Sequence, residues 1–144
     1  MSNSADPVEW FAAPPSAFDI ATCWFPRAPD KHPGPDLRPG LITGVLRGNS
    51  TGRFACRVCF GTTNLKIMQR GGRDIIVQNA RHIDQFGLQR ATRFDLDTVL
   101  TLPWNDRFFG FWSGYSSPII GSLTEVYMRD FAYKMMLRNA PKND

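Results

Sequence analysis

At 144 residues the chain has the length of one folded domain. Its 42% hydrophobic and 21% charged content excludes a disordered chain, and 11 Phe with 4 Trp supply the large side chains of a compact core. The net charge of +4 comes from 17 basic residues scattered among 13 acidic ones, which permits a phosphate-bearing partner without requiring one. The opening Met1-Ser-Asn-Ser-Ala-Asp-Pro7 lacks a basic, apolar leader, and no window approaches the roughly 18 apolar residues of a membrane span. The expectation is a cytoplasmic protein without a membrane segment.

Residues 1–16, rich in Pro, Ala and Ser, read as a loosely held arm pinned by Trp10 and Phe11. A first strand is predicted over Phe18 to Phe25. Residues 26–39 hold five prolines and the turn signals His32-Pro33-Gly34-Pro35-Asp36, so they predict a long loop. Loops of that length in small domains usually carry function. Residues 40–46 and 53–61 predict two strands joined by the turn Gly48-Asn49-Ser50-Thr51-Gly52, which makes a hairpin. Gly71-Gly72 marks a turn before a strand at Asp74 to Gln78. Alternation over Phe94 to Leu100 predicts a half-buried strand that Pro103 ends.

The final segment changes period. Ile120, Leu123, Tyr127, Phe131 and Met135 recur at steps of three and four, which lines one face of a helix. Ser122 and Glu125 have the spacing of a capping box, and Asn139 with Pro141 closes the helix. The predicted fold class is therefore mainly β with a C-terminal helix, a small SH3-like barrel in a domain spanning residues 17–140, followed by a tail at 141–144.

Cys56 and Cys59 form a Cys-x-x-Cys, but no second metal-spaced pair accompanies them, and His32 and His82 are far apart. In a strand, positions i and i+3 face opposite sides, so buried structural thiols are expected rather than a zinc or redox site. No cofactor or metal is expected.

Two stretches point to chemistry. In Leu37-Arg38-Pro39-Gly40-Leu41-Ile42, proline fixes the backbone at the start of a buried strand and so holds an always-charged guanidinium at the sheet rim. Such a fork suits a phosphate; the alternative is an Arg38 that is solvated or paired with Asp36. In Cys59-Phe60-Gly61-Thr62-Thr63-Asn64, an apolar strand ends at a glycine and two hydroxyls that can approach a ligand closely. The alternative is a turn capped by Thr62 or Asn64. Trp24, Phe25 and Phe60 are either stacking platforms or core, and Arg27, Lys31, Arg81, Arg90 and Arg93 either line a phosphate track or are scattered surface charges. His82 is expected to be a surface or capping side chain.

The order of these features resembles the MazF/PemK family of toxin endoribonucleases. The matches are Phe18 to Pro26, the loop 27–37, the Arg-Pro strand opening Arg38-Pro39-Gly40-Leu41-Ile42, the strand end Val58-Cys59-Phe60-Gly61-Thr62 and, more weakly, Ala80-Arg81-His82-Ile83-Asp84, together covering roughly residues 18–138 in order. The resemblance implies a metal-independent enzyme that cuts single-stranded RNA by attack of a ribose 2′-hydroxyl on the adjacent phosphorus, leaving a 2′,3′-cyclic phosphate and a 5′-hydroxyl. It implies Arg38 and Thr62 as the catalytic pair, with Trp24, Pro39, Thr63, Asn64 and Arg81 as substrate-binding candidates. It further implies a homodimer restrained by a cognate antitoxin. Such a pair would stabilise charge developing in a phosphorane-like transition state; the general base stays unassigned. The chain departs from the family at Pro33-Gly34-Pro35-Asp36-Leu37, in its N-terminal arm, around Pro103-Trp104-Asn105-Asp106, and in the aromatic run Phe108-Phe109-Gly110-Phe111-Trp112, expected to form a dimer surface or an extra strand. Two rival readings are a CcdB-like barrel that binds DNA gyrase through its C-terminal helix and a catalytically inactive interaction module.

Overall fold

A computed structural model describes residues 7–27, 32–66 and 72–139. The elements are β1 (Asp19–Cys23), β2 (Arg38–Arg47), β3 (Phe54–Thr62), β4 (Ile75–Val77), α1 (Ala80–Gln85), β5 (Thr92–Pro103), β6 (Ile119–Ser122) and α2 (Glu125–Asn139). The strands form one antiparallel sheet in the order β4-β5-β3-β2-β1-β6, curled into a half-barrel and backed by α2. The mainly-β class with a C-terminal helix is thus as the sequence predicts.

Side-chain alternation builds two cores, one on each face of the sheet. Ile20, Leu41 and Cys59 join Phe86, Phe94, Ile75 and Leu123 in one cluster, against which Tyr127, Phe131 and Met135 of α2 pack. Their immediate neighbours Ala21, Ile42 and Val58 join the other, with Phe25, Trp104, Phe108 and Phe109. Adjacent residues thus serve opposite layers, as a pleated strand dictates. Cys56 and Cys59 fall in different clusters, which agrees with the opposite-face reading; all three cysteines are free and buried. Burial pushes each thiol up to about 12, with Cys56 adding to the effect on Cys23.

The curl has a local cause. Opposite β3, the β5 register jumps from Cys59↔Val99 to Phe60↔Asp95. Of the surplus residues, Leu96 stays in the core and Asp97 and Thr98 are exposed, held by Asp97 N and Thr98 Oγ1 donating to the Asp95 carboxylate at 2.9 Å each. Such a bulge bends the strand and increases its twist. Arg138 on α2 donates to Asp97 at 2.8 Å, fastening the helix over the bend.

The structure corrects several expectations. The last helix begins at Glu125, not near Ile120: Ile120 and Ser122 belong to β6, which pairs with β1. Ile120 and Leu123 still reach the core, and for this reason the three-and-four spacing extended too far upstream. Pro141 lies outside the described residues. Helix α1 was not predicted; six residues are too few to show a period, and Asn79 Oδ1 accepting from Arg81 N at 2.9 Å caps it. Strand β2 starts at Arg38, two residues before the expected edge, because Arg38 and Pro39 pair with Cys23 and Thr22 of β1.

The aromatic run forms no regular strand of the sheet, and two of its rings turn inward. Phe108 and Phe109 are buried in the chain's own core, Phe109 bridges to Cys23, and Phe111 is the exposed ring at 50%. Gly110 lets this segment lie flat on Trp24, whose ring a Cβ would overlap. The N-terminal arm covers the same layer over its described residues: Trp10 bridges Asn105, the Phe11 ring lies 5.1 Å from that of Trp104, and Trp104 Nε1 donates to Ala13 O at 2.8 Å. The arm and the Pro103–Asp106 insertion, both departures from the family pattern, therefore pack on each other.

Thiols this buried should resist alkylation in the folded protein. Iodoacetamide at pH 8 should label none of the three cysteines without denaturant and all three in guanidinium; native labelling of Cys56 or Cys59 would contradict the two-layer packing.

Candidate active site

Strand β2 begins where β3 ends. Carrying the Leu41↔Cys59 and Ile42↔Val58 register toward those ends sets Arg38 opposite Thr62. Gly61 is what permits the approach: a Cβ there would overlap the carbonyl oxygen of Pro39. Both side chains line one cleft of about 230 Å³, together with Leu37, Pro39, Gly61, Thr63, Gln89, Arg90, Thr92 and Trp112. The lining contains two arginines and no carboxylate, so the cleft is cationic.

The Arg38 guanidinium is 45% exposed and lies 3.3 Å from Asp36 Oδ2, an oxygen it shares with Arg27 at 3.0 Å. The pairing considered from the sequence is therefore present, but it is solvated and shared. Exposed pairs of this kind contribute about 0.2–1 kcal/mol. A phosphate group, whose two non-bridging oxygens match the guanidinium fork, competes for such a guanidinium.

Thr62 is nearly buried, and its Oγ1 accepts from Asn64 N at 3.1 Å; Asn64 Oδ1 in turn accepts from Lys66 N at 3.0 Å. The turn-capping reading thus holds for both residues. It does not compete with a ligand role for Thr62, because accepting the amide proton leaves the hydroxyl's own proton to be donated. The cap instead holds the hydroxyl oxygen in place. For Asn64 the cap occupies the side-chain oxygen.

Behind Thr62 stands a buried ion pair. Arg93, Thr62's partner in β5, is 4% exposed and donates to Asp74 Oδ2 at 2.8 Å and, through Nε, to Asn64 O at 3.2 Å. Asp74 Oδ1 accepts from Leu96 N at 3.2 Å, and Lys134 Nζ on α2 donates to Asp74 O at 2.7 Å. This network holds the 62–64 turn from below and locks it to α2. Arg93 is thereby a structural arginine and not part of a phosphate track.

The structure gathers some sequence-predicted residues and separates others. Arg38, Pro39, Thr62 and Thr63 share the cleft, and Arg90 joins them. Trp24 instead packs under Gly110, Asn64 lies beyond the cleft lining, and Arg81 sits in the first turn of α1, so none of the three lines it. Phe25 and Phe60, with ring centroids 5.3 Å apart, form a small depression on the far side of Arg38 with Arg27 and Asp36. His82 Nδ1 lies 2.7 Å from Tyr127 Oη, joining α1 to α2; desolvation, with Asp130 adding to it, raises the Tyr127 pKa and keeps that hydroxyl protonated. Lys31 lies outside the described residues. Gln89 and Trp112 were not foreseen as cleft residues. Trp112 stood out only as one ring in an aromatic run, and nothing in the sequence marks Gln89.

Among the described residues no three His, Cys, Asp or Glu side chains group as metal ligands, and no helix is long and apolar enough to cross a membrane. Fold and site together define a small curled β-sheet protein with a cationic, hydroxyl-bearing cleft at its rim. No protein-family model matches the chain, and neither does any curated protein with which its sequence was compared.

Two outcomes test this geometry. Asp36→Asn should tighten the binding of inorganic phosphate severalfold at low salt, an advantage that fades as ionic strength rises; unchanged affinity would show that Asp36 does not compete for Arg38. Arg93→Met should destabilise the fold by about 3–5 kcal/mol in urea unfolding, because Asp74 loses its buried counter-charge.

Proposed function

We propose that the chain is a metal-independent endoribonuclease that cuts single-stranded RNA, acting in the cytoplasm as the MazF/PemK resemblance implies. One observation carries the reading: Arg38 and Thr62, the two residues matched to that family's catalytic pair, line the same cleft. They come from the two strands of one hairpin, 24 positions apart in sequence, and its register brings them together.

The chemistry follows from the groups present. An RNA phosphate entering the cleft displaces Asp36 from Arg38 and receives two charge-assisted hydrogen bonds from the guanidinium. Thr62 donates a third from a side chain already held by Asn64. As the neighbouring 2′-hydroxyl attacks, negative charge grows on the non-bridging oxygens. Donors fixed before the reaction stabilise that charge more than the ground state. Requiring a 2′-hydroxyl restricts the activity to RNA. Arg38 acts here by charge, because a guanidinium is a poor proton acceptor. In this reading the active form is a homodimer held in check by a cognate antitoxin.

A second reading has its own observation. Helix α2 exposes Val126 at 70%, Met136 at 61%, and Tyr133 and Leu137 at 55% each, an apolar face suited to binding another protein. A CcdB-like toxin that binds gyrase through this helix, or an inactive interaction barrel, would use that face and leave the cleft idle.

The two separate cleanly. In the nuclease reading, purified protein cuts single-stranded RNA in EDTA, Arg38→Ala lowers the rate by about 100-fold or more, Thr62→Val costs a comparable factor, and Thr62→Ser keeps most of the activity. Intact RNA with the wild-type protein, or cleavage indifferent to Arg38→Ala, would falsify the assignment and leave the helix-face reading.

A further inference from the structure

Beside Arg38 and Thr62, the cleft is lined by a chemically different set: Trp112, half-buried, and the exposed Gln89 and Arg90 of the α1–β5 loop. The two sets are mechanically joined: Trp112 Nε1 donates to Leu37 O at 3.3 Å, and Leu37 immediately precedes Arg38. The indole is thus positioned by the same backbone that carries the guanidinium.

We infer that the Trp112–Gln89–Arg90 set is a nucleobase subsite, which selects the nucleotide whose phosphate sits on Arg38. The inference rests on the phosphate assignment made above and adds the residues that read sequence. Three properties carry it. A flat aromatic face offers sequence-tolerant stacking to any base. A carboxamide both donates and accepts, so Gln89 can pair two adjacent groups on a base edge and reject the edge with the wrong pattern. The free volume of about 230 Å³ is below the range of sites that take drug-sized ligands or cofactors, and suits one base with its sugar. Arg90 supplies positive charge on the strand's path, and the carboxylate that a phosphate must displace, Asp36, pairs with Arg38 from outside the lining.

Segment 108–112 therefore has two roles divided along its length. Phe108 and Phe109 anchor it in the core, and Trp112, three residues beyond Phe109, is delivered to the cleft wall. A loop fixed at one end by buried rings can hold a stacking platform without a regular element.

The test uses the four 2′-deoxynucleoside 3′-monophosphates, which cannot be cleaved, and inorganic phosphate, titrated against the full chain by NMR. The wild type should bind nucleotides about tenfold or more tighter than phosphate, with one base preferred. Gln89→Ala, in an exposed loop where folding is not at stake, should abolish the preference while phosphate binding persists. Trp112→Leu should bring all four nucleotides down toward the affinity of phosphate. Nucleotides that bind no better than phosphate, or a base ranking unchanged in Gln89→Ala, would overturn the subsite. Arg38→Ala separates the two levels: it should remove phosphate binding. If a Gln89-dependent base preference persists while phosphate binding ignores Arg38→Ala, the subsite stands and the nuclease reading falls.

Discussion

The close approach of two backbones at Pro39 and Gly61 is the constraint on which the rest of the site depends. Proline fixes one strand as it enters the sheet, and glycine removes the side chain that would hold the other strand away. With that gap closed, Arg38 and Thr62 face each other across a rim instead of across a loop. Either residue alone has an ordinary role: Arg38 shares a solvated carboxylate with Arg27, and Thr62 caps a turn. Their juxtaposition makes the place chemical, because it brings a permanent charge and a hydroxyl held by a turn to one cleft.

Rigidity behind the rim comes from a buried charge network. Arg93 and Asp74 lie under the 62–64 turn and tie it through Asp74 O to Lys134 on α2. A buried ion pair is weak evidence of stability but a strong constraint on geometry, since breaking it strands a charge in the core. The C-terminal helix is thus tied to the turn that carries Thr62, while its outer surface exposes Val126, Tyr133, Met136 and Leu137. Pre-organisation of this kind is what electrostatic catalysis requires, because donors that must first move lose their advantage.

The sheet and the helix were legible because their periods are long enough to see. Alternation over β5 and the spacing of Tyr127, Phe131 and Met135 reflect which face meets a core, and the turn at 48–52 marks the β2–β3 hairpin. The cleft's Arg38, Pro39, Thr62 and Thr63 were legible for a different reason: they sit where apolar strands begin or end, and such ends are marked by Pro and Gly. The remainder depends on tertiary contacts. Ile120 fits a helical spacing, yet pairing with β1 makes it a strand residue. Arg93 looks like any surface cation until β4 delivers Asp74 to it. Trp112 and Gln89 reach the cleft from segments flanking β5 and β6, and no local pattern announces a wall assembled from three loops.

The chemistry of the cut ends tests the central claim most directly. RNA cleaved by the purified protein in EDTA should carry 2′,3′-cyclic phosphate and 5′-hydroxyl termini, and a single 2′-deoxy substitution on the 5′ side of the cut should abolish cleavage there. Termini bearing a 5′-phosphate and a 3′-hydroxyl, or cleavage that continues past the deoxy substitution, would show that Arg38 and Thr62 do not stabilise attack by a ribose hydroxyl.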